Sequence, residues 1–407
     1  MCTDPVGFLS FCGLYAFFGS LLEKLELGFN LAWLTFGLAA LTMSFVVINS
    51  LVLATAFYTW FERRALGRFQ VRLGPNRWGP FGLFQPFADM IKLMTKEDTV
   101  PTEADRIVFN IAPIIFVAPA LLVIAVVPFG QNSFMGSLNI GILFIIGVTS
   151  VNSIAIFMAG WASRNKYAIL GSIRGVAMLI SYEVPMALSI AGILLLSGSL
   201  AMSTIVAQQS VPFIFVQPLG FLVFIASASA EMSRTPFDQI EAESELGSGY
   251  NTEYSGMKFG VLFLAEFMAP IVTACIVTTL FLGGIRGFDF LPGQLWFIMK
   301  VFAVVFMLLW FRATWPRLRV DQIMIFAWKG LFGVAIFNLL LVAIEVELLR
   351  DPSTGMLSSN SLWIMAAINW ATAIGVIVIM ANILGQRRLR RPDPVPSPLA
   401  NMSGKAD

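Results

Sequence analysis

Nine long apolar stretches with almost no charged residues constrain this chain more than any other feature. A helix needs ~20 apolar residues to cross a bilayer, and in lipid only helices and closed barrels satisfy their backbone polar groups. Composition agrees, because 57% of the residues are hydrophobic and 12% are charged. The sequence therefore predicts an all-α polytopic membrane protein with about nine transmembrane helices, within a range of eight to ten. The stretches are Leu31–Phe61, Ile107–Phe129, Leu138–Ala159, Val176–Leu200, Pro212–Ala230, Phe259–Gly284, Leu295–Phe311, Gly330–Leu349 and Leu362–Leu384.

Lysine and arginine are distributed unevenly between the two sides that these spans define. If segment 62–106 lies inside, the inner loops and the C-terminal tail hold 22 of the 26 basic residues. Because cytoplasmic loops are enriched in basic residues, we expect the N-terminus outside, the C-terminus in the cytoplasm, and a multi-pass protein of the inner cell membrane. The net charge of +2 gives no reason to expect a nucleic-acid partner. Four long, charged inner loops indicate a docking surface for a cytoplasmic partner, namely 62–106, 161–175, 231–258 and 312–329.

The two ends flank a predicted transmembrane domain of residues 31–385. In the N-terminal extension, residues 1–30, the apolar stretch Phe8–Leu22 is short for a span, and the absence of a preceding Lys or Arg argues against a cleaved signal peptide. We therefore expect this stretch to lie at the membrane interface. A tenth span that moves the N-terminus inside is the alternative. The tail 386–407 is basic and contains prolines, a composition typical of disorder.

The residues that usually hold redox centres are scarce. The chain has no histidine, and Cys2, Cys12 and Cys275 lack the close spacing of iron–sulfur or zinc sites. We therefore predict that this chain binds no redox group and that any electron transfer takes place in a partner.

Segment 230–257 concentrates acidic residues between two apolar stretches. Crowded carboxylates have raised pKa values, which would let some of them take up and pass on protons. A solvated acidic loop is the alternative. The acidic residues are Glu231, Asp238, Glu241, Glu243, Glu245 and Glu253.

Two further carboxylates fall inside predicted spans. Glu183 and Glu266 each lie about seven residues from the inner end of a span, which places both ~10 Å deep. An ionisable group within a span marks an ion or proton path by default. The alternative is that each is neutral, or capped by Tyr182, Arg174 or a helix end.

The first inner loop combines turns, basic residues and an apolar segment. Gly74-Pro75-Asn76 predicts a tight turn, and residues 81–94 provide an apolar face together with Asp89 and Lys92. This pattern favours the wall of an apolar cavity with arginines at its edge, suited to a lipid-like ligand with a polar head. An ordinary interfacial helix is the alternative.

Several motifs closely resemble the H subunit of NADH-quinone oxidoreductase, the counterpart of subunit one of mitochondrial NADH dehydrogenase. They include ERRALGRFQVRLGPNRWGP, GWASRNKYAILGSIR, RTPFDQIEAESEL and RATWPRLRVDQ, in order and between the expected spans. The resemblance implies a membrane-arm subunit of complex I that forms a quinone chamber with peripheral-arm subunits and also contacts small membrane-arm subunits and lipid. It implies quinone as substrate, with FMN and iron–sulfur clusters in partner subunits only.

The resemblance also assigns roles to individual residues. It places Arg63, Arg72, Asp89 and Arg312 around the quinone chamber. It places Glu183, Glu231, Asp238, Glu241, Glu243, Glu245, Glu253 and Glu266 along a proton path that couples quinone reduction to ion translocation. The chain departs from the family pattern at Met178, where glutamine is usual, at Ser233, where asparagine is common, and at Gly247 and Ser248, where a valine and then an alanine or threonine usually follow ESEL.

Two other functions stay open. The membrane subunit of an energy-converting [NiFe] hydrogenase resembles this family but needs no quinone cavity, and the full-length segment 62–106 argues against it. A stand-alone ion transporter belongs to another class, against which the long charged loops and the absence of an inverted repeat argue.

Overall fold

The computed structural model describes residues 11–24, 32–130, 138–240, 245, 247–287, 291–350 and 358–389. Throughout these residues the regular structure is helical. Eight helices in the described part are long and apolar enough to span a membrane, which confirms the predicted all-α polytopic class. These spans are Trp33–Phe69, Arg106–Ile124, Gly141–Ala162, Lys166–Ser197, Gly256–Phe281, Gly293–Thr314, Val320–Leu349 and Ser359–Asn382.

Some of these spans contain more than one helical segment, so the helices are numbered separately. The third span joins two α-helices, and the seventh contains a π-helical turn, Phe326–Leu331. The α-helices are α1 (Phe11–Lys24), α2 (Ala32–Phe69), α3 (Gln85–Thr95), α4 (Arg106–Ile124), α5 (Gly141–Thr149), α6 (Val151–Ala162), α7 (Lys166–Ser197), α8 (Met202–Gln208), α9 (Phe213–Val216), α10 (Pro218–Glu231), α11 (Gly256–Phe281), α12 (Gly293–Thr314), α13 (Val320–Ile325), α14 (Phe332–Leu349) and α15 (Ser359–Leu389).

The predicted span Pro212–Ala230 is broken in the structure. The short helix α9 and the 14-residue helix α10 meet at Gln217, whose φ of −130° is not helical. Proline at position 218 explains the break, because its ring disfavours the helical conformation of the preceding residue. The segment is thus a discontinuous helix rather than a full-length span.

Helix α7 lies at the centre of the bundle and packs against α6, α10 and α14. It begins at Lys166, and α2 continues to Phe69, so both helices extend into segments predicted as loops. The small helix α1 packs on α2 through Leu14 and Ala39. The interfacial position of Phe8–Leu22 stays a prediction. The same holds for the disorder of the tail 386–407 and for the other domain limits.

Side chains from the predicted inner loops meet at one end of the bundle. Arg174 Nη1 lies 2.6 Å from Glu245 Oε2, and Lys258 Nζ lies 2.7 Å from Asp98 Oδ2. Asn165 Nδ2 donates to Glu253 Oε1 at 2.7 Å. We call this end of the bundle the charged face.

Candidate functional site

The segment after α2 folds back on the end of that helix. A side chain on Gly74 would bring its Cβ to 2.8 Å from the Cα of Arg64, so only glycine allows this approach. The carbonyl oxygen of Phe81 accepts hydrogen bonds from Trp60 Nε1 at 3.0 Å and from Arg64 Nη1 at 2.7 Å. The Arg64 guanidinium also lies 4.9 Å from the centre of the Phe81 ring. These contacts fix the position from which α3 starts.

Arg63 and Asp89 form an ion pair between α2 and α3. Arg63 Nη1 lies 2.5 Å from Asp89 Oδ2, while Lys92 Nζ lies 3.5 Å and Gln85 Nε2 3.4 Å from Oδ1. Partial burial acts to raise the pKa of Asp89, but the hydrogen bond and charge of Arg63 outweigh it and leave that pKa below its usual value. The carboxylate is therefore ionised at neutral pH and holds α3 against α2.

The rest of α3 presents apolar side chains that nothing in the described chain covers. No residue of this helix is buried, and Ile91 and Met94 are each 59% exposed. Phe87 and Met90 are also exposed. Arg63 lies beside this apolar surface and Arg72 is exposed on the same segment, whereas the cavity predicted next to them stays a prediction.

A buried ionic network connects three helices beneath this segment. Glu62 Oε1 accepts a short hydrogen bond from Arg312 Nη1 and lies 3.6 Å from Arg234 Nη1. Arg234 Nη2 lies 3.0 Å from Glu266 Oε1, and its guanidinium sits 4.4 Å from the centre of the Phe267 ring. The side chains of Glu62 and Arg234 are 2% and 8% exposed. The order Arg312, Glu62, Arg234, Glu266 defines what we call the ionic network.

Two members of this network, Glu62 and Arg234, were not predicted as site residues from the sequence. Glu62 falls in a predicted charged loop, although it follows an apolar stretch without a break and lies within helix α2. Arg234 falls in the acidic segment, where the sequence offers no reason to single it out. Because α2 extends to Phe69, Glu62 lies within a span. The rule that ionisable residues within spans are functional then predicts a role for Glu62.

The network ends at an internal cavity of about 80 Å³, several times the ~10–15 Å³ that one water molecule needs. Glu231 and Glu266 both line it, although one belongs to α10 and the other to α11. The structure thus brings together two carboxylates that were predicted from separate patterns. Polar side chains of the lining include Thr149, Asn152, Ser233 and Tyr250.

Glu183 lies on α7, partly buried, and interacts electrostatically with Glu231. The neighbouring Tyr182 does not cap it, because the Tyr182 hydroxyl donates to the carbonyl oxygen of Ile323 at 3.0 Å. Glu183 therefore belongs to the same group of carboxylates as Glu231 and Glu266.

Three of the remaining predicted carboxylates lie on the charged face, namely Asp238, Glu245 and Glu253. Arg174 donates a hydrogen bond to Glu245 and holds the pKa of that exposed carboxylate below its usual value, which is the opposite of the rise expected from crowding. Asp238 lies 3.9 Å from Arg317, and Glu253 accepts its hydrogen bond from Asn165. Glu241 and Glu243 lie outside the described residues.

Three departures from the family pattern have local structural settings. Met178 is buried in an apolar cluster that includes Tyr182. Gly247 has a φ of 69° and Ser233 a φ of 53°, both in the left-handed region. Glycine adopts this region freely and asparagine more readily than serine. Gly247 therefore suits its backbone, whereas Ser233 is strained.

Together these features define a polytopic helical membrane protein. Its ionic network leads from beneath α3 to a cavity that is lined mainly by apolar residues and by the carboxylates Glu231 and Glu266. The sequence model of the family described as NADH dehydrogenase matches residues 42–343, and the chain belongs to this family. It is 47% identical over 337 residues to the H subunit of NADH-quinone oxidoreductase from Dehalococcoides mccartyi, an alignment that covers 83% of this chain and 93% of the relative.

Two further relatives carry the same name. The protein from Brevibacillus brevis is 47% identical over 316 residues, covering 75% of this chain and 94% of the relative. That from Bacillus cytotoxicus is 48% identical over 292 residues, covering 70% of this chain and 88% of the relative. The predicted resemblance is therefore confirmed.

Proposed function

We propose that this chain is the membrane subunit of a proton-translocating NADH-quinone oxidoreductase in the inner cell membrane. It forms a quinone chamber with peripheral-arm subunits at its charged face and starts the path that couples quinone reduction to proton movement. FMN and iron–sulfur clusters belong to partner subunits, and small membrane-arm subunits continue the path. The observation that carries this proposal is the ionic network, which runs from beneath α3 to a cavity lined by two carboxylates.

The chamber assignment rests on the surface of α3. Its exposed apolar side chains lie beside an arginine and an aspartate that bind each other, so the surface offers an apolar wall next to polar groups. A quinone has the same division, with an isoprenoid tail and a polar head. Arg63 and Asp89 would border the chamber, Arg72 would lie on its exposed side, and Arg312 would lie beneath it.

The coupling assignment rests on shared charges. Glu62 interacts with two arginines, and Arg234 with two glutamates, so each inner member of the network has alternative partners. A negative charge arriving on the quinone attracts Arg312 and weakens its hold on Glu62. Glu62 then binds Arg234 more strongly, which leaves Glu266 less neutralised and more prone to take up a proton. In a site of low dielectric constant such changes are large.

From Glu266, protons would pass through the cavity. Water in a cavity of this size can bridge Glu266 and Glu231, and the electrostatic interaction of Glu231 with Glu183 continues the path. The other carboxylates of segment 230–257 would relay protons to the chamber. These are Asp238, Glu241, Glu243, Glu245 and Glu253.

Photolabelling tests the chamber. The complex containing this chain is purified in mild detergent and irradiated with a photoreactive quinone, and the labelled peptides are mapped. We expect label within residues 62–106 or 231–258 that an excess of unlabelled quinone removes, in a preparation that contains iron–sulfur subunits. Label confined to other segments, or no label in a preparation that contains a nickel–iron hydrogenase subunit, would contradict the chamber assignment.

Neutralising substitutions test the path. Glu231→Gln keeps shape and polarity but removes the charge, so we expect assembly to persist while quinone reduction and proton translocation fall together. The matched control is Glu347→Gln, which neutralises an exposed glutamate near the far end of α14 and should change neither rate. Undiminished proton translocation in the Glu231 variant, measured in reconstituted vesicles, would remove this residue from the path.

A further inference from the structure

One buried carboxylate lies outside the site described above. Glu345 is on α14, four residues before its end and 6% exposed. Helix α14 starts next to the charged face and ends at Leu349, so Glu345 lies toward the opposite end of the bundle. The family match ends at residue 343, which places Glu345 and all of α15 beyond it.

The contacts of Glu345 within the described residues are few. Asn369 of α15 donates from Nδ2 to Glu345 Oε2 at 2.7 Å, and Glu345 Oε1 has no hydrogen-bond partner there. Asn369 is 1% exposed and its Oδ1 likewise has no partner in that part of the chain. The pair therefore leaves two acceptor oxygens buried without a donor, which is costly unless a proton lies between them.

Charged groups on the helices packed around Glu345 are remote or turned outward. Helix α15 has no charged residue before Arg387, and α10 carries only Glu231. Helix α7 carries Lys166, Arg174 and Glu183, while the segment before α14 carries Asp321 and Lys329. Glu347, on α14 itself, and Arg350, directly after its last residue, are both exposed. None of these forms an ion pair with Glu345 in the described chain, and an ionised carboxylate buried without a counter-charge is strongly disfavoured.

We infer that Glu345 and Asn369 form a proton-binding site at the end of the bundle opposite the charged face. The side-chain amide suits both protonation states. Its N–H donates to a carboxylate oxygen in the structure, a contact that suits the ionised form. After rotation of the amide, its oxygen can accept the O–H of the protonated form. Binding and release of a proton thus exchange one hydrogen bond for another at a single contact.

Buried amides near the middle of α14 give this site a polar neighbourhood. Asn338 lies seven residues before Glu345, about two helical turns, and both its side-chain polar atoms lack partners in the described chain. A Cβ on Gly220 would lie 3.1 Å from Asn338 Nδ2 and 3.2 Å from Gln217 Oε1, so these two amides flank the break between α9 and α10. Unsatisfied buried amides recruit water, which gives a proton a means of exchange.

Dicyclohexylcarbodiimide tests the inference without requiring activity, because it reacts with protonated carboxyls in apolar surroundings. The purified complex is treated over a pH series, and adducts are mapped by mass spectrometry. We expect an adduct on Glu345, less of it as the pH rises, and none on the exposed Glu347, which is the matched control. Because the readout is the adduct, it is independent of whether the complex translocates protons as proposed.

Two variants sharpen the result. Glu345→Gln should lose this adduct and keep those on other carboxyls. Asn369→Leu removes the N–H that stabilises the ionised form, so labelling of Glu345 should persist to higher pH. Equal labelling of Glu345 and Glu347, or no adduct on Glu345 while Glu183 or Glu231 reacts, would overturn the inference. Protection of Glu345 by Na⁺ at constant pH would overturn it in favour of a sodium site.

Discussion

Removing Arg234 should be among the most destabilising single changes in this chain. Its guanidinium lies 3.0 Å from Glu266 and 3.6 Å from Glu62, and the side chain is 8% exposed. Arg234→Met keeps much of the volume but leaves Glu266 without a cation and Glu62 with Arg312 alone. Deleting one partner of a buried ion pair costs about 3–5 kcal/mol. We expect a loss of that size in the free energy of unfolding.

Pulse proteolysis over a denaturant series in mild detergent, followed on the band of this chain, measures the loss. Arg317→Met is the matched control, because Arg317 is one-third exposed and lies 3.9 Å from Asp238. Such a pair contributes about 0–1 kcal/mol. The double variant Arg234→Met/Glu266→Gln removes the uncompensated charge and should recover stability, with a coupling energy of about 0.5–3 kcal/mol. Equal costs for the two arginine variants, with no recovery in the double variant, would refute the idea that the network is buried and ionised.

Three further outcomes are expected. Ser233→Asn should raise the unfolding free energy by about 0.5–1 kcal/mol in the same assay, because asparagine tolerates the φ of 53° better than serine; no gain would mean that the serine is not strained. Because the hydrogen bond and charge of Arg63 lower the pKa of Asp89, their ion pair is complete at neutral pH and is lost only as the pH falls through that lowered value. Asp89→Asn should therefore raise the KM for quinone by a constant factor across neutral pH, and a factor that varies there would contradict this. Arg174→Gln should change stability by less than ~1 kcal/mol, because Glu245 is exposed; a larger loss in the intact complex would mean that a partner subunit buries the pair.

The helical architecture was predictable from the sequence because lipid leaves few alternatives. Apolar length and the distribution of basic residues give the spans, and both are local properties of the chain. Pro218 is a local signal for the break at Gln217, but a prediction that counts apolar residues does not use it. Helix ends were less predictable, because α2 continues for two turns into a charged sequence where it packs against other segments.

The candidate site was predictable only in part. Glu183 and Glu266 could be selected because a charge in an apolar stretch is conspicuous, whereas the pairing of Arg63 with Asp89 spans 26 residues and that of Arg312 with Glu62 spans 250. No local pattern specifies such partners. The prediction of a raised pKa for Glu245 was wrong for the same reason, because Arg174, which is distant in sequence, lowers that pKa.

Glu345 and the two carboxylates of the ionic network have different electrostatic surroundings. Glu62 and Glu266 each have an arginine within hydrogen-bonding or ion-pair distance, so the charged form is stabilised and the partner can change. Glu345 has an amide instead, which stabilises neither form strongly and leaves the proton as the means of neutralisation. The two surroundings suit different steps of the function proposed above. In the proposed coupling, Glu266 binds a proton only after Arg234 has moved toward Glu62. Glu345 has no arginine to be displaced, so it can bind a proton without any exchange of partners.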